Sequence, residues 1–72
     1  MANDPHAQFL AVEALAVRPQ RAAELLGVSR PTIYHLMEAG ELASFKVGSA
    51  RRIPVDELRE FIARRVAAET AA

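Results

Sequence analysis

The 72-residue chain has no cysteine, no tryptophan, only three glycines and no surplus of either charge, its nine basic side chains being matched by nine acidic ones. Each shortage removes a class of protein. Without cysteine there is neither a disulfide framework nor a thiolate zinc site, which suits a reducing, intracellular setting. No apolar run approaches the roughly 18 residues of a membrane span, and no basic segment leads into an apolar one at the N-terminus, so a soluble cytoplasmic protein is expected. The three glycines form no phosphate-cradling motif. Fifteen of the apolar residues are alanine, which leaves one small domain with a thin core. The histidines His6 and His35 do not make a metal site, and Tyr34 lacks the arginine and histidine constellation that a recombinase-type nucleophile needs. The expectation is no catalytic residue, no metal and no cofactor.

A net charge of zero speaks against a nucleic-acid partner only when the charges are evenly spread. Here they are not. Residues 18–52 carry Arg18, Arg21, Arg30, Lys46, Arg51 and Arg52 against Glu24, Glu38 and Glu41, whereas both flanks are net acidic. At physiological salt the Debye length is about 8 Å, so a partner responds to the local surplus.

Asp4-Pro5 reads as a helix start, and a weak helix over about 5–13 is expected, followed by a short extended piece. From Pro19 the pattern is sharper. Pro19 to Leu26 reads as a short helix with Ala22, Ala23, Leu25 and Leu26 on its apolar side, stopped by Gly27. Ser29 is a suitable N-cap for a second helix, and Pro31 falls in its first turn, where a missing N–H costs nothing. Ile33, Leu36 and Met37 form the buried stripe of that helix and Gly40 ends it. The period then changes to an alternating one over Ser44 to Ile53, a hairpin turning at Gly48-Ser49. Phe45, Val47 and Ile53 are expected to face the core, with Lys46 and Arg52 outward on opposite arms and Arg51 near the tip. Pro54 breaks the strand. Val55, Leu58, Phe61, Ile62 and Val66 mark a last amphipathic helix, and residues 67–72 read as a frayed end.

Two short helices joined at Gly27 suit either a helix-turn-helix or an ordinary αα-corner. A small residue four before the glycine, Ala23, and a branched one six after it, Ile33, suit the close crossing of a helix-turn-helix. The outward face of the second helix carries Arg30, Thr32, Tyr34 and His35, side chains able to meet phosphates and base edges.

The combination AAELLGVSRPTIY, EAGELASFKVG and RRIPVDEL resembles the excisionase-type winged helix-turn-helix family, relatives of the DNA-binding domains of MerR-type regulators, over about Leu15 to Ile62. The resemblance implies a mainly α fold with a small β-hairpin wing over residues 15–66, between an N-terminal extension at 1–14 and the frayed end. It implies a strand before the helix-turn-helix, a second helix in the major groove of double-stranded DNA, and a wing on the backbone or minor groove. By that likeness Ser29, Arg30, Thr32, Tyr34 and His35 are recognition-helix contacts, Lys46, Arg51 and Arg52 belong to the wing, and Arg21 is a further candidate contact. Three features depart from the family pattern: Ser49-Ala50 at the wing tip, His35 in place of a frequent arginine, and Arg21 in place of a common acid. They imply a weaker grip per domain, so that several copies side by side, or a larger complex with an integrase, hold the DNA. The implied role is that of a recombination directionality factor that binds adjacent sites cooperatively and bends DNA in the nucleoid. A small transcriptional regulator or a DNA-binding antitoxin are the alternatives. The apolar segment 1–14 suits either a contact with another copy or protein, or a helix on the domain's own core.

Overall fold

The computed structural model describes residues 15–71, so the helix expected over about 5–13 lies outside the described residues. The order of elements is β1 (Ala16–Val17), α1 (Pro19–Leu26), α2 (Arg30–Glu38), β2 (Phe45–Val47), β3 (Ala50–Pro54) and α3 (Val55–Ala71). This is a winged helix-turn-helix, mainly helical with a three-stranded antiparallel sheet.

Local chemistry sets the helix ends. Pro19 opens α1 after an extended Arg18, a position where proline's fixed φ helps and its missing N–H costs nothing. The helix closes when Gly27 turns left-handed at φ 73°, its N–H donating to the Glu24 carbonyl (3.2 Å) and that of Val28 to the Ala23 carbonyl (2.9 Å). No atom lies within 4 Å of where a Gly27 Cβ would stand. The backbone angle, not crowding, therefore asks for glycine. Ser29 caps α2 by accepting from the Thr32 N–H. At the far end Gly40 (N–H to the Met37 carbonyl, 3.1 Å) and Glu41 (to the Leu36 carbonyl, 2.9 Å) repeat the same closure.

The core is small. Ala22, Ala23, Ile33, Leu42, Ile53 and Leu58 are buried, with Val17, Leu26, Leu36, Met37 and Phe61 packed around them. Two adjacent alanines in α1 let α2 approach closely, as expected for Ala23, and Ile33 fills the space so left. Leu25, expected on the apolar side of α1, is instead half exposed (50%).

The sheet order is β1-β3-β2. Val17 pairs with Ile53 and Ala16 with Pro54, and the strand ends at Pro54. A proline fits that end because the chain continues there through the Val55 N–H, which donates to the Leu15 carbonyl at 2.9 Å. In the hairpin Phe45 faces Arg52, Lys46 faces Arg51 and Val47 faces Ala50. Cross-strand partners point to the same side, and alternation then puts Lys46 and Arg51 on the side of Ile53. Phe45 and Val47 share the opposite side with Arg52. The expectation that Phe45 and Val47 join Ile53 in the core, with Lys46 and Arg52 together outside, is thus corrected: Phe45 is 42% and Val47 66% exposed.

The segment 67–71, expected to be frayed, continues α3 to Ala71 with every residue exposed. Alanine and glutamate are strong helix formers, which extends the helix past its last packed residue. The near end of α3 is tied to the loop before the wing. Glu57 Oε2 accepts from the Ala43 N–H (2.9 Å) and from Arg64 (3.2 Å), Arg64 also donates to the Glu41 carbonyl (3.1 Å), and Arg65 meets the Glu41 carboxylate at 2.7 Å.

Candidate nucleic-acid interface

The start of α1, the start of α2 and the tip of the hairpin open onto one shallow cleft. Its walls are Arg18, Pro19 and Gln20 from α1 and the residue before it, Arg30 and Tyr34 from α2, and Ser49, Ala50, Arg51 and Arg52 from the wing. Four arginines line that surface, and no acidic residue does. A smaller depression continues along α2 between Tyr34, Met37, Glu38, Ser44 and Arg51.

Neutral partners hold three of these arginines in place. Arg30 Nη2 donates to the Tyr34 hydroxyl (3.1 Å), one helical turn on, and its guanidinium lies 4.8 Å from the centre of the same ring. Arg51 reaches across the hairpin base to Ser44 Oγ (2.6 Å) and is half-buried against α2. Arg52 Nη1 donates to the Arg51 carbonyl (2.8 Å). None of these contacts cancels a charge.

The other arginines of the described residues behave differently. Arg21 is paired with Glu24 (3.1 Å), Arg59 with Asp56 (3.0 Å), Arg64 with Glu57 (3.2 Å) and Arg65 with Glu41 (2.7 Å). Arg18, Arg30, Arg51 and Arg52 form no ion pair among the described residues. Among the described residues, the arginines without an ion pair therefore all line one cleft, and Lys46, also without one, is exposed on the adjoining strand.

Of the residues expected from the sequence, the fold brings together Arg30, Tyr34, Arg51 and Arg52. Lys46 is exposed beside Arg51 on the adjoining strand. Ser29 and Thr32 are joined at the cap, Oγ to Oγ1 at 2.9 Å, and Thr32 lines a different groove, with Leu36 and α3. His35 is exposed on α2 but lines neither depression. Arg21 lies apart from the cleft, bound to Glu24. Arg18 and Gln20, which the sequence pattern does not mark as contacts, also belong to the cleft. The sequence signal for Arg18 is the pair Arg18-Pro19: an arginine just before a helix-starting proline sits at the positive end of the helix, where an anion is favoured. Among the described residues no group of three or more histidine, aspartate or glutamate side chains could hold a metal ion, and no helix is long and apolar enough to cross a membrane.

The family described as helix-turn-helix domain matches residues 17–66. An uncharacterized protein of Mycobacterium tuberculosis is 41% identical over 49 residues, 68% of this chain and 43% of its own length. A second protein of that organism, which carries the antitoxin name VapB50, is 43% identical over 47 residues, 65% of this chain and 36% of its own. A Saccharopolyspora erythraea protein carrying the name of an excisionase is 38% identical over 53 residues, 74% of this chain and 54% of its own. The chain thus spans less than half the length of the M. tuberculosis relatives. No solved structure matches it.

Proposed function

Since the chain belongs to the excisionase-type helix-turn-helix domain family, we propose that residues 15–66 bind duplex DNA sequence-selectively, with α2 in the major groove and the β2–β3 hairpin on the backbone or minor groove. One observation carries the reading: the four arginines without acidic partners share the cleft between the helix starts and the wing, while the arginines elsewhere are each in contact with a carboxylate. A surface of that kind suits phosphates, and the outward residues of α2 suit base edges. Arg30 and His35 are assigned to bases, with Tyr34 orienting Arg30. Arg18, Lys46, Arg51 and Arg52 are assigned to phosphates. No step of this function requires a cofactor or a catalytic group.

The role assigned is that of an excisionase-like factor in the cytoplasm: copies on adjacent sites bend DNA and help an integrase run in the excision direction. The excisionase-named relatives favour it. The antitoxin-named relative favours a second reading, the DNA-binding part of an antitoxin, and a small transcriptional regulator uses the same domain. Selection of a preferred site from random DNA, followed by footprinting and gel-phasing on one and on several copies of it, tests the role. Cooperative footprints with a bend phased to the site support it. Independent binding to straight DNA refutes the recombination role, and failure to enrich any sequence refutes base reading.

A further inference from the structure

The last helix outruns the domain it braces. α3 has 17 residues, about 25 Å at 1.5 Å per residue, yet its own domain buries only Leu58 fully and Val55, Glu57 and Phe61 in part, and every residue from Ile62 to Ala71 is exposed. On the adjoining face Ile62 is 47% and Val66 58% exposed. They form one wall of an open apolar groove whose other wall is Leu26, Val28 and Leu36 of the helix-turn-helix. Two charged residues continue the stripe. Arg59, Ile62, Val66 and Glu69 follow at spacings of three, four and three, the alternation that keeps one seam of a helix facing a neighbouring helix.

An antiparallel copy of the helix that sets Ile62 against the second copy's Val66 also sets Arg59 against the second copy's Glu69. The same match recurs on the other side of the two-fold axis, so opposite charges close the apolar layers at both ends. Glu69 has no ion-pair partner among the described residues, and Arg59 is held only by its exposed contact to Asp56. The other basic side chains of the helix, Arg64 and Arg65, are committed to Glu57 and Glu41 and do not compete. A parallel pairing would set Arg59 against Arg59 and Glu69 against Glu69, which repels.

We propose that a second copy of this chain docks antiparallel along the Arg59–Ile62–Val66–Glu69 stripe of α3, with Leu26 and Val28 covered at its margin. The seam is short, so the dimer is weak and reversible. It goes beyond DNA recognition and forms without DNA.

Sedimentation equilibrium of the 72-residue chain without DNA, from about 10 μM to about 1 mM, covers the range expected of a small transient interface. A reversible monomer–dimer equilibrium is expected. Val66→Glu should lower its association constant about tenfold or more, because it places a charge in the apolar layer. Arg59→Glu and Glu69→Arg should each weaken it, and the double variant should return it to the wild-type value, with circular dichroism showing an intact helix in every case. A monomer at all concentrations overturns the proposal and leaves the groove to another part of the chain or a different protein. A dimer indifferent to Val66→Glu overturns the stripe, and a double variant that does not recover overturns the antiparallel register.

Discussion

Removing Arg18 should change how DNA binding responds to salt, and removing Arg21 should not. Both are arginines of the first helical segment and stand three residues apart, but Arg18 lines the cleft without an acidic partner and Arg21 is neutralised by Glu24. Each phosphate contact contributes about −0.9 to the slope of log K against log salt. If Arg18, Lys46, Arg51 and Arg52 each meet one phosphate, their joint share is about −3.6, a loss of roughly 150-fold in affinity between 50 and 200 mM salt. Arg18→Ala should reduce that share to about −2.7, and the loss to roughly 40-fold. Fluorescence anisotropy on a labelled selected duplex, titrated at four or five salt concentrations, reads both slopes directly. Arg21→Ala removes a charge already compensated and should leave the slope in place. Equal slopes for wild type and Arg18→Ala, or an equal drop for both variants, would refute the claim that the cleft rather than the general charge of the segment meets the phosphates.

Other outcomes follow from the same geometry. Arg30→Ala should cost about 1–3 kcal/mol on the selected site and change the preferred sequence; an equal loss on random DNA counts against base reading. Tyr34→Phe removes the hydroxyl that orients Arg30 and should weaken selected-site binding more than random-site binding, as competition assays would show. Gly27→Val puts a β-branched residue at φ 73° and should destabilise the fold by about 1–3 kcal/mol in urea denaturation, an unchanged midpoint being the contrary result. Glu57→Ala frees the Ala43 N–H and Arg64, and should lower stability by about 1–2 kcal/mol while also reducing wing-dependent affinity.

Much of this fold is written locally. Pro19, Gly27, Ser29, Pro31 and Gly40 each act through their own backbone or through neighbours three or four residues away, which is why the ends of both short helices are legible in the sequence. The spacing of Ala23, Gly27 and Ile33 likewise announces a close helix crossing. Three matters depend on partners distant in the chain. Which face of the hairpin is buried follows from the pairing of β3 with both β1 and β2: since side chains alternate, a shift of one residue exchanges faces, and Phe45 and Val47 lie outside because Arg52 and Ala50 oppose them. Thr32 looks outward on an isolated helix, but the arrival of α3 makes its side a groove beside Leu36 and Val66. The charge of each arginine is fixed by sequence, whereas its compensation is not. Glu24 stands three residues from Arg21 and could be foreseen, while Glu41 reaches Arg65 across 24 positions. The sequence thus determined that a basic helix-turn-helix would form. Which arginines keep no acidic partner followed from long-range packing, which carries Arg65 to Glu41 and leaves Arg18, Arg30, Arg51 and Arg52 around one cleft.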